Sequence, residues 1–521
     1  MSESLLKLLD ATEVTESNAD PQTWIETLCC DSRRAGPGTL FFALRGARTD
    51  GAQFVAQAIE KGAVAIVSDA ALPACAPSFI RVPDARAAMA DMAAAFYGNP
   101  ADKLKVMGAT GTNGKTTTTF LVKHLLDCAQ RRCGLIGTVK YCIGESERDA
   151  PRTTPESLDL QELLAQMLDA GNKAVAMEVS SHALVQHRAR AIDFDTAVFT
   201  NLTQDHLDYH KTMEQYFEAK AALFDGLAAQ RKKKARAIIN IDDRYGHRLS
   251  ERFRRKIPVI TYGQRVGSDF RATDVRFDAT GSTYHLQAKG RSYLVRSPLI
   301  GSFNIYNSLA AIGAAASMGM ELRAAVAAIA NAPQIPGRLE RVPAKRSFQV
   351  FVDYAHTEDA LRSVLRTLRE LRPNRLITVF GCGGDRDRAK RPLMAAASEE
   401  SSDWSILTSD NPRTEDPAQI LSEMRAGFRA SRYEEIPDRT QAIRKAVKIA
   451  GAGDIVLIAG KGHETYQEFA DRRVPFDDSA VARRAIEESR VEIEEEDTSR
   501  HTSGGESRHA AHPPLKRRGE P

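Results

Sequence analysis

A glycine-rich loop at residues 108–119, GATGTNGKTTTT, has the residue types that hold phosphate groups. Residues 109–116 match the P-loop pattern, with alanine in place of the first glycine. The pattern predicts that backbone amides from Gly111 to Lys115 wrap the β- and γ-phosphates, that Lys115 bridges them, and that the Thr116 hydroxyl ligates Mg²⁺. An incidental glycine turn is the alternative, and the loop alone does not separate a kinase, GTPase, motor or ligase.

Two polar segments follow apolar strands and could carry metal ligands. They are MEVSSHALVQHR at 177–188 and TNLTQDHLDYHKTMEQYFEAKAALF at 200–224. Because α/β folds place ligands at the carboxyl ends of strands, Glu178 and His206 could hold a second Mg²⁺ near the γ-phosphate. A capping glutamate and a helix-start histidine are the alternative. Zinc on His206 and His210 is less favoured, since no HExxH motif or nearby cysteine accompanies that spacing.

Lys220 occupies an unusual position in the second of these segments. Phe217, Ala221 and Phe224 define the apolar face of a predicted helix, and Lys220 lies on the same side, three residues after Phe217. An unpaired ammonium group on that face loses its hydration, so the residue needs a partner or a modification. The alternative is a lysine whose head group extends into water.

The elements that must position these residues form three α/β units in series. Residues 39–100 read as strand, helix, strand, strand and helix, and the proline at position 100 closes the first unit. The strand LKVMGA enters the phosphate loop, and strands alternate with helices as far as a bend at 335–337. Four further strands, QVFVDYAH, RLITVFG, WSILTS and DIVLIAG, alternate with helices, which is typical of a doubly wound parallel sheet.

The predicted domains are residues 1–102, 103–336 and 337–490, followed by a tail over 491–521. The tail carries no Phe, Tyr or Trp and mixes charge with Gly, Pro and Ser. It cannot bury enough apolar surface to order itself, so we predict that it is disordered.

Composition narrows the classes of function. The 521 residues are 42% hydrophobic and carry a net charge of only +4, without a long basic stripe, so nucleic acid is not an expected partner. The seven cysteines are scattered and form no CxxC pair, which favours reduced thiols and a cytoplasmic location. No apolar run approaches the roughly 18 residues that span a bilayer, and no secretory signal pattern opens the chain, so no membrane association is expected.

Ten motifs occur in the order seen in the Mur ligases, which the chain resembles from about Asp31 to Gln467. The motifs are GTNGKTT, TTPES, MEVSSHAL, TNLTQDHLDYH, AKAALF, GSFNIYN, VDYAHT, GGDRDR, TSDNPR and GKGHETYQ. The resemblance implies an α/β fold with the three-domain Mur ligase architecture. Its parts are an N-terminal UDP-binding domain, a central P-loop ATPase-like domain and a C-terminal Rossmann-like domain that binds an amino acid.

The resemblance also implies an activity. It is close to the members of the family that add diaminopimelate, so the chain is expected to be a monomeric, ATP-dependent and Mg²⁺-dependent ligase of peptidoglycan precursor synthesis. The reaction joins meso-2,6-diaminopimelate to UDP-N-acetylmuramoyl-L-alanyl-D-glutamate through an acyl phosphate. A lysine-adding Mur ligase, folylpolyglutamate synthetase and a nucleotide-dependent regulatory module that joins nothing are the alternatives. The N-terminal domain and the DNPR motif argue against folylpolyglutamate synthetase.

Residue roles follow from the same resemblance. In the family, the lysine at the position of Lys220 is carbamylated by CO₂, so Lys220 is implied to be an N6-carboxylysine and, with Lys115, to be catalytic. The implied metal ligands are Thr116, Glu178, His206 and carbamylated Lys220. The implied ATP-binding residues are Gly111, Thr112, Asn113, Gly114, Lys115, Thr116, Thr117, Asn304, Asn307, Arg338 and Asp353. The implied UDP-muramoyl-dipeptide-binding residues are Ser32, Ala47, Arg48, Thr49, Thr153, Thr154, Ser180, Gln186 and Arg188. The implied diaminopimelate-binding residues are Arg386, Asp410, Asn411, Pro412, Arg413, Gly460 and Glu464.

Selection of the amine donor is predicted to depend on Arg413 in the DNPR motif. Meso-diaminopimelate differs from lysine by a carboxylate at its far end, and a planar guanidinium pairs with a carboxylate through two hydrogen bonds. A site built for that carboxylate should reject lysine at a cost of about 2 to 5 kcal/mol, because the arginine would be left unpaired. The alternative is a plain Asx-Pro turn with a solvated arginine.

Overall fold

The computed structural model describes residues 2–46, 49–71, 78–230, 232, 234–344 and 346–489. Ala47 and Arg48, two predicted uridine-side residues, and the predicted tail over 491–521 lie outside the described residues. The chain divides into two compact units, Met1–Ile335 and Pro336–Pro521. The six cysteines within the described ranges are all free thiols. No helix in the described ranges is both long and apolar enough to cross a membrane.

The first unit begins with a five-stranded sheet of order β2-β7-β6-β5-β4. Its apolar side is closed by the alanine-rich helix α3, which begins after the N-cap Asp84. The predicted succession of strand, helix, strand, strand and helix is confirmed, although β5 ends at Phe42, before the predicted end of that strand. The elements are β1 (Glu3–Ser4), α1 (Leu5–Leu9), β2 (Glu16–Ser17), β3 (Trp24–Ile25), β4 (Thr27–Cys29), β5 (Thr39–Phe42), α2 (Val55–Glu60), β6 (Ala63–Ser68), β7 (Phe79–Arg81), α3 (Ala85–Phe96) and α4 (Pro100–Lys103).

The same unit continues into an eleven-stranded sheet of order β11-β10-β9-β12-β8-β13-β14-β15-β16-β17-β18, counted over the described residues. Its elements are β8 (Lys105–Thr110), α5 (Lys115–Cys128), β9 (Cys133–Ile136), β10 (Lys140–Ile143), β11 (Ser146–Asp149), α6 (Ser157–Asp169), β12 (Ala174–Glu178), α7 (Ser181–Val185), β13 (Thr196–Phe199), α8 (Leu207–His210), α9 (Met213–Ala229), β14 (Arg236–Asn240), α10 (Arg244–Phe253), β15 (Val259–Gly263), β16 (Phe270–Asp278), β17 (Gly281–Ala288), β18 (Arg291–Ser297), α11 (Ser302–Ser317) and α12 (Leu322–Ile329).

The central strands of this sheet are buried on both faces. Helices α5, α11 and α12 cover one face, and α6, α9 and α10 cover the other. Strand β8 pairs in parallel with β12 and β13, so that Glu178 lies opposite Ala109 and Phe199 lies opposite Thr110. The carboxyl ends of these three strands therefore meet at one edge, which is where the phosphate loop leaves β8.

The second unit is built on a six-stranded sheet of order β19-β20-β24-β21-β22-β23, parallel except for the pairing of β19 with β20. Helix α16 and a helix over 478–489 cover one face. The predicted doubly wound α/β fold is confirmed. The elements are β19 (Glu340–Val342), β20 (Gln349–Asp353), α13 (Glu358–Glu370), β21 (Leu376–Phe380), α14 (Lys390–Ser401), β22 (Trp404–Leu407), α15 (Pro417–Arg425), β23 (Tyr433–Glu435), α16 (Arg439–Ile449), β24 (Ile455–Ala459), β25 (Tyr466–Glu468) and β26 (Arg473–Pro475).

Candidate active site

The phosphate loop between β8 and α5 depends on two glycines in conformations that other residues rarely adopt. Gly111 has a φ of +146° and Gly114 a φ of +86°. A Cβ atom at Gly111 would lie 1.9 Å from Oγ1 of Thr200, and one at Gly114 would lie 2.3 Å from Oδ1 of Asn307. Both positions therefore require glycine for conformation and for space.

Hydrogen bonds fix this loop to the segment that follows β13. The amide of Thr112 donates to the carbonyl of Asn201 (2.9 Å), and the amide of Asn113 donates to Oδ1 of Asn201 (2.9 Å). The hydroxyl of Thr200 donates to the carbonyl of Asn113 (2.7 Å). Sequence inspection did not single out Thr200 or Asn201, although both belong to the TNLTQDHLDYH motif.

Two lysines converge on the carbonyl of Gly111. Nζ of Lys115 donates to the carbonyls of Gly111 (2.9 Å) and Thr112 (2.8 Å), and Nζ of Lys220 donates to Gly111 (2.8 Å). Lys220 is 1% exposed, so its ammonium group does not reach bulk water as the alternative interpretation required. Burial, followed by the positive charge of Lys115, lowers the pKa of Lys220 well below its usual range. This environment favours the uncharged amine, which is a nucleophile.

The ring of Tyr216 lies against the amine of Lys220 and is itself stacked on His210. Nζ of Lys220 lies 4.5 Å from the centre of the Tyr216 ring, and the ring of His210 stacks on Tyr216 with 4.9 Å between the ring centres. The hydroxyls of Tyr216 and Thr112 are 3.3 Å apart. Nε2 of His210 lies 2.9 Å from the hydroxyl of Ser181, so His210 belongs to this packed cluster.

The predicted metal ligands Glu178 and His206 follow neighbouring strands. Glu178 is buried, and its carboxylate accepts hydrogen bonds from the amide (2.8 Å) and hydroxyl (3.1 Å) of Thr138. His206 has a φ of +53° at the start of α8, with Nε2 3.4 Å from a carboxylate oxygen of Asp205. Over the described ranges, no group of three His, Cys, Asp or Glu side chains is arranged to hold a metal. The predicted metal site contains only two such side chains, Glu178 and His206; its other two ligands are Thr116 and carbamylated Lys220.

The two asparagines predicted at the adenine lie at the start of α11, beside the phosphate loop. Nδ2 of Asn304 donates to the carbonyl of Ile300 (2.9 Å), and Nδ2 of Asn307 donates to Oδ1 of Asn304 (2.9 Å). Oδ1 of Asn307 faces Gly114, as the 2.3 Å approach to a Cβ atom there indicates. The structure therefore brings both asparagines to the loop.

Several residues predicted to contact the muramoyl peptide form one hydrogen-bonded group after β12. The hydroxyl of Thr154 donates to the carbonyl of Glu178 (2.9 Å) and accepts from the amide of Ser180 (3.1 Å). Arg188 donates to the carbonyl of Thr154 (2.9 Å) and to Oε1 of Gln186 (2.6 Å). Thr153 joins the group through a hydroxyl contact of 3.0 Å with Thr138.

Glu156 is a member of this group that sequence inspection missed. Its carboxylate forms ion pairs with Arg188 (2.9 Å), Arg86 (3.6 Å) and Arg152. The TTPES motif could have indicated this residue, because Glu156 lies two positions after Thr154, which was assigned to the muramoyl peptide. Three arginines around one carboxylate leave an excess of positive charge, which suits an anionic ligand.

The other described uridine-side residues belong to loops that follow β4 and β5. The hydroxyl of Ser32 donates to Oε1 of Gln57 (2.6 Å). The carbonyl of Thr49 accepts a hydrogen bond from the amide of Gly46 (2.9 Å). The same loop holds the two positions outside the described residues.

In the second unit, Arg338 and Asp353 lie close together. The Arg338 guanidinium is 4.7 Å from the centre of the Tyr354 ring. The carboxylate of Asp353 accepts hydrogen bonds from the amides of Leu339 (2.6 Å) and Ala355 (2.8 Å). Burial raises the pKa of Asp353 to about 6, although Arg338 and both amides act in the opposite direction.

The two arginines predicted to bind diaminopimelate flank a glycine pair after β21. Nε of Arg413 donates to Oε2 of Glu468 (3.1 Å), and Nη1 donates to the carbonyl of Gly384 (2.8 Å). A Cβ atom at Gly383 would lie 3.0 Å from Nη1 of Arg413 and 3.9 Å from Cγ of Arg386. Arg413 is thus held in place by the fold, in contrast to the solvated arginine of the alternative interpretation.

The remaining predicted donor-site residues adjoin these arginines. Nδ2 of Asn411 donates to Oε2 of Glu464 (2.8 Å). A Cβ atom at Gly460 would lie 2.5 Å from Oδ2 of Asp410. The carbonyl of Pro412 would lie 1.9 Å from a Cβ atom at Gly384, which fixes the approach of the two loops.

Lys461 is a buried member of this cluster that sequence inspection missed. Its Nζ donates to Oδ1 of Asn411 (2.9 Å) and to Oε2 of Glu464 (2.9 Å). The GKGHETYQ motif contained the residue, but only the glycine before it and the glutamate after it were assigned roles.

The phosphate loop leaves a central strand at the carboxyl edge of a parallel sheet and is hydrogen-bonded to the segment after β13. This arrangement defines a P-loop nucleotide-binding protein. Three family models match this chain in order. They are "Mur ligase family, catalytic domain" over 25–97, "Mur ligase middle domain" over 109–315 and "Mur ligase, glutamate ligase domain" over 337–462.

Whole-chain comparisons agree with these matches. The chain is 46% identical over 468 residues to UDP-N-acetylmuramoyl-L-alanyl-D-glutamate--2,6-diaminopimelate ligase of Solibacter usitatus, covering 89% of this chain and 94% of the relative. It is 47% identical over 474 residues to the protein of the same name from Geobacillus thermodenitrificans, covering 89% and 96%. A solved structure of a ligase with this name is 36% identical, with a TM-score of 0.69, covering 94% of this chain and all of that one. The chain belongs to the Mur ligase family, whose members are ATP-dependent ligases.

Proposed function

We propose that the chain joins meso-2,6-diaminopimelate to UDP-N-acetylmuramoyl-L-alanyl-D-glutamate at the expense of ATP, as a step in peptidoglycan precursor synthesis. The observation that carries the proposal is the identity of 46% over 468 residues to a relative of that name. The site geometry supports it independently, since a phosphate loop and an arginine-containing donor cluster are both built into the fold.

The proposed chemistry activates a carboxylate and then consumes it. The γ-carboxylate of the terminal D-glutamate attacks the γ-phosphate of ATP, which forms an acyl phosphate and releases ADP. An amine of diaminopimelate attacks the acyl carbon, and the tetrahedral intermediate collapses to an amide and inorganic phosphate with loss of a proton from nitrogen. Activation is needed because a free carboxylate is too poor an acylating agent, and positioning with charge neutralisation supplies the catalysis.

ATP is proposed to bind on the phosphate loop. Backbone amides of 111–115 surround the phosphates, and Lys115 moves from the carbonyls of Gly111 and Thr112 to the phosphate oxygens. Thr117 follows on the first turn of α5. Asn304 and Asn307 are proposed at the adenine, and Arg338 and Asp353 are proposed as further ATP-binding residues.

Lys220 is proposed to react with CO₂. Its uncharged amine attacks the carbon of CO₂, a new N–C bond forms, and one proton leaves, giving a carbamate. The lowered pKa supports this step, because only the free amine is nucleophilic. Thr116, Glu178, His206 and the carbamate oxygens would then hold Mg²⁺, and hydroxyl, carboxylate and imidazole groups are suitable ligands for it. When bound, Mg²⁺ offsets the negative charge of the phosphates.

The acceptor substrate is proposed to bind along the first unit. Thr153, Thr154, Ser180, Gln186 and Arg188 would contact its muramoyl and peptide parts. Their mutual hydrogen bonds and the positive excess around Glu156 support a site for an anionic peptide. Ser32, Ala47, Arg48 and Thr49 are proposed for the uridine part.

The donor is proposed to bind in the second unit among Arg386, Asp410, Asn411, Pro412, Arg413, Gly460 and Glu464. A guanidinium suits the distal carboxylate of diaminopimelate, and buried carboxylates suit its ammonium groups. Lysine lacks that distal carboxylate, which is the basis of the proposed selectivity.

The proposal is tested by substrate-dependent phosphate release from the purified protein. We expect release only when ATP, Mg²⁺, UDP-N-acetylmuramoyl-L-alanyl-D-glutamate and meso-diaminopimelate are all present. Turnover with lysine at a similar rate would make the chain a lysine-adding ligase. Phosphate release without either amino acid would instead support a nucleotide-dependent regulatory module.

A further inference from the structure

Lys461 lies at the centre of the donor cluster, on the loop that follows β24. The residue is completely buried, which is uncommon for a lysine. Its Nζ is 2.9 Å from Oδ1 of Asn411, 2.9 Å from Oε2 of Glu464 and 4.0 Å from Oδ1 of Asp410. The ring of Tyr466 covers it at 5.5 Å. The ammonium charge is therefore balanced entirely inside the protein.

This enclosure determines how Lys461 can act. Two of its three N–H groups are directed to Asn411 and Glu464, and a carboxylate oxygen of Asp410 lies 4.0 Å from Nζ. A fully buried head group with these partners does not contact a ligand. Any effect on the reaction must pass through the residues that it holds.

Asn411 is fixed in one orientation by Lys461. Its Oδ1 accepts from Nζ of Lys461 and from the amide of Glu468 (3.0 Å). A flipped amide would direct its own N–H groups at an ammonium group and at a backbone N–H, so only one orientation is compatible with these contacts. In that orientation, Nδ2 donates to Oε2 of Glu464.

Glu464 is consequently held by one of its two oxygens. Oε2 accepts from both Lys461 and Asn411, whereas Oε1 has no hydrogen-bond partner among the described residues. The Glu464 side chain is 18% exposed, so this open oxygen is accessible. It is an acceptor held in the same loop cluster as Arg413, whose Nη2 is likewise without a hydrogen bond to a described residue.

We propose that Lys461 is a positioning residue for the amino-acid donor, an inference that rests on the proposed function. By holding Oε2 of Glu464 and the amide of Asn411, it presents Oε1 of Glu464 to an ammonium group of the donor. The site is then organised before the donor binds, so that binding does not have to order these side chains.

The test compares Lys461→Met with wild type and with Lys445→Met. Lys445 is a matched control, because it also pairs with a glutamate, Glu434 at 3.6 Å, but on the surface of the same unit. In Lys461→Met we expect the KM for diaminopimelate to rise about 100-fold, the loss typical of misplaced binding groups. The KM values for ATP and for the UDP-linked substrate should stay within twofold, and Lys445→Met should match wild type.

A double-mutant cycle with Glu464→Gln separates positioning from simple support of the fold. If Lys461 acts through Glu464, the double variant raises the KM for diaminopimelate little more than either single change does. Multiplicative effects, or an unchanged KM in Lys461→Met, would overturn the proposal. Thermal unfolding and the ATP dissociation constant establish whether each variant folds. Should Lys461→Met not fold, Lys461→Gln replaces it with the same criteria.

Failure of this inference is distinguishable from failure of the proposed function. If wild type shows no phosphate release that depends on diaminopimelate, the proposed function is wrong. If wild type has that activity and only the predicted Lys461 effects are missing, the positioning role alone is wrong.

Discussion

Replacement of Arg413 by methionine tests donor selection most directly. The change removes the guanidinium but keeps an unbranched side chain of similar length. Two contacts are lost, those to Oε2 of Glu468 and to the carbonyl of Gly384. Glu468 keeps a partner, because Arg473 donates to its Oε1 at 2.8 Å. We therefore expect the loop that carries Arg413 to keep its structure and the variant to lose affinity for diaminopimelate.

The size of the expected loss in kcat/KM follows from the N–H groups of Arg413 that form no hydrogen bond to a described residue. Nη2 is available to a carboxylate, and the side chain is 21% exposed, so the pair would be partly shielded from water. One to two charge-assisted hydrogen bonds at about 1.5 to 3 kcal/mol each give a loss of about 3 kcal/mol. At 1.4 kcal/mol per factor of ten, kcat/KM for diaminopimelate falls about 150-fold. Lysine offers no distal carboxylate, so its kcat/KM should change little.

The assay is phosphate release with each donor at saturating ATP and UDP-linked substrate, with the ratio of the two kcat/KM values as the readout. Arg473→Met is the matched control, since it also removes a guanidinium from Glu468 but leaves Arg413 in place. The control should retain the wild-type ratio. If Arg413→Met also retained it, Arg413 would not read the distal carboxylate, and the reasoning on selectivity would be refuted.

Three further predictions concern the nucleotide side. Lys220→Ala should abolish phosphate release and remove the carbamate carbon signal that wild type shows after incubation with ¹³C-bicarbonate; full activity in this variant would count against the carbamate. Gly111→Ala should weaken ATP binding, measured by calorimetry, at least about tenfold, because the new Cβ would lie 1.9 Å from Oγ1 of Thr200. Gly226→Ala in α9 is the control and should leave ATP binding unchanged, because the space around its Cβ is open. Burial raises the pKa of Asp353 to about 6, so between pH 4 and pH 6 the folded state holds a proton that the unfolded state has released. The free energy of unfolding, measured in urea relative to Asp353→Asn, should therefore fall by up to about 3 kcal/mol as the pH rises from 4 to 6. A difference that stays constant with pH would contradict the raised pKa.

Local patterns were enough to predict the strands and helices that carry the nucleotide site. The run LKVMGA, the glycine loop and the helix behind it correspond to β8, the phosphate loop and α5. The buried position of Lys220 also followed from local spacing, because helix geometry alone places it on the apolar face with Phe217 and Phe224. The P-loop pattern assigned Lys115 and Thr116 to the phosphates and Mg²⁺, most other residue assignments came from the family resemblance, and all of them stay predictions.

Contacts between residues distant in the sequence were not predictable in this way. Thr138 and Glu178 are 40 positions apart, and Asn411 and Lys461 are 50 apart, so only the strand order brings each pair together. The antiparallel strands β16 to β18 were also missed as elements. More and less buried residues alternate along β16 and β17, as expected at the end of a sheet with one solvated face, so the sequence did contain a signal for these strands.

The convergence of Lys115 and Lys220 on one carbonyl oxygen bears on the proposed modification of Lys220. Both Nζ atoms lie within 2.9 Å of the oxygen of Gly111, so they are at most about 6 Å apart. Two positive charges at that distance repel by about 3 kcal/mol at an effective dielectric constant of 20. A neutral Lys220 removes this repulsion, and the proposed carbamate would reverse its sign while adding oxygen atoms that would ligate Mg²⁺. The proposed carbamate would therefore relieve the repulsion between the two lysines and supply metal ligands with one modification.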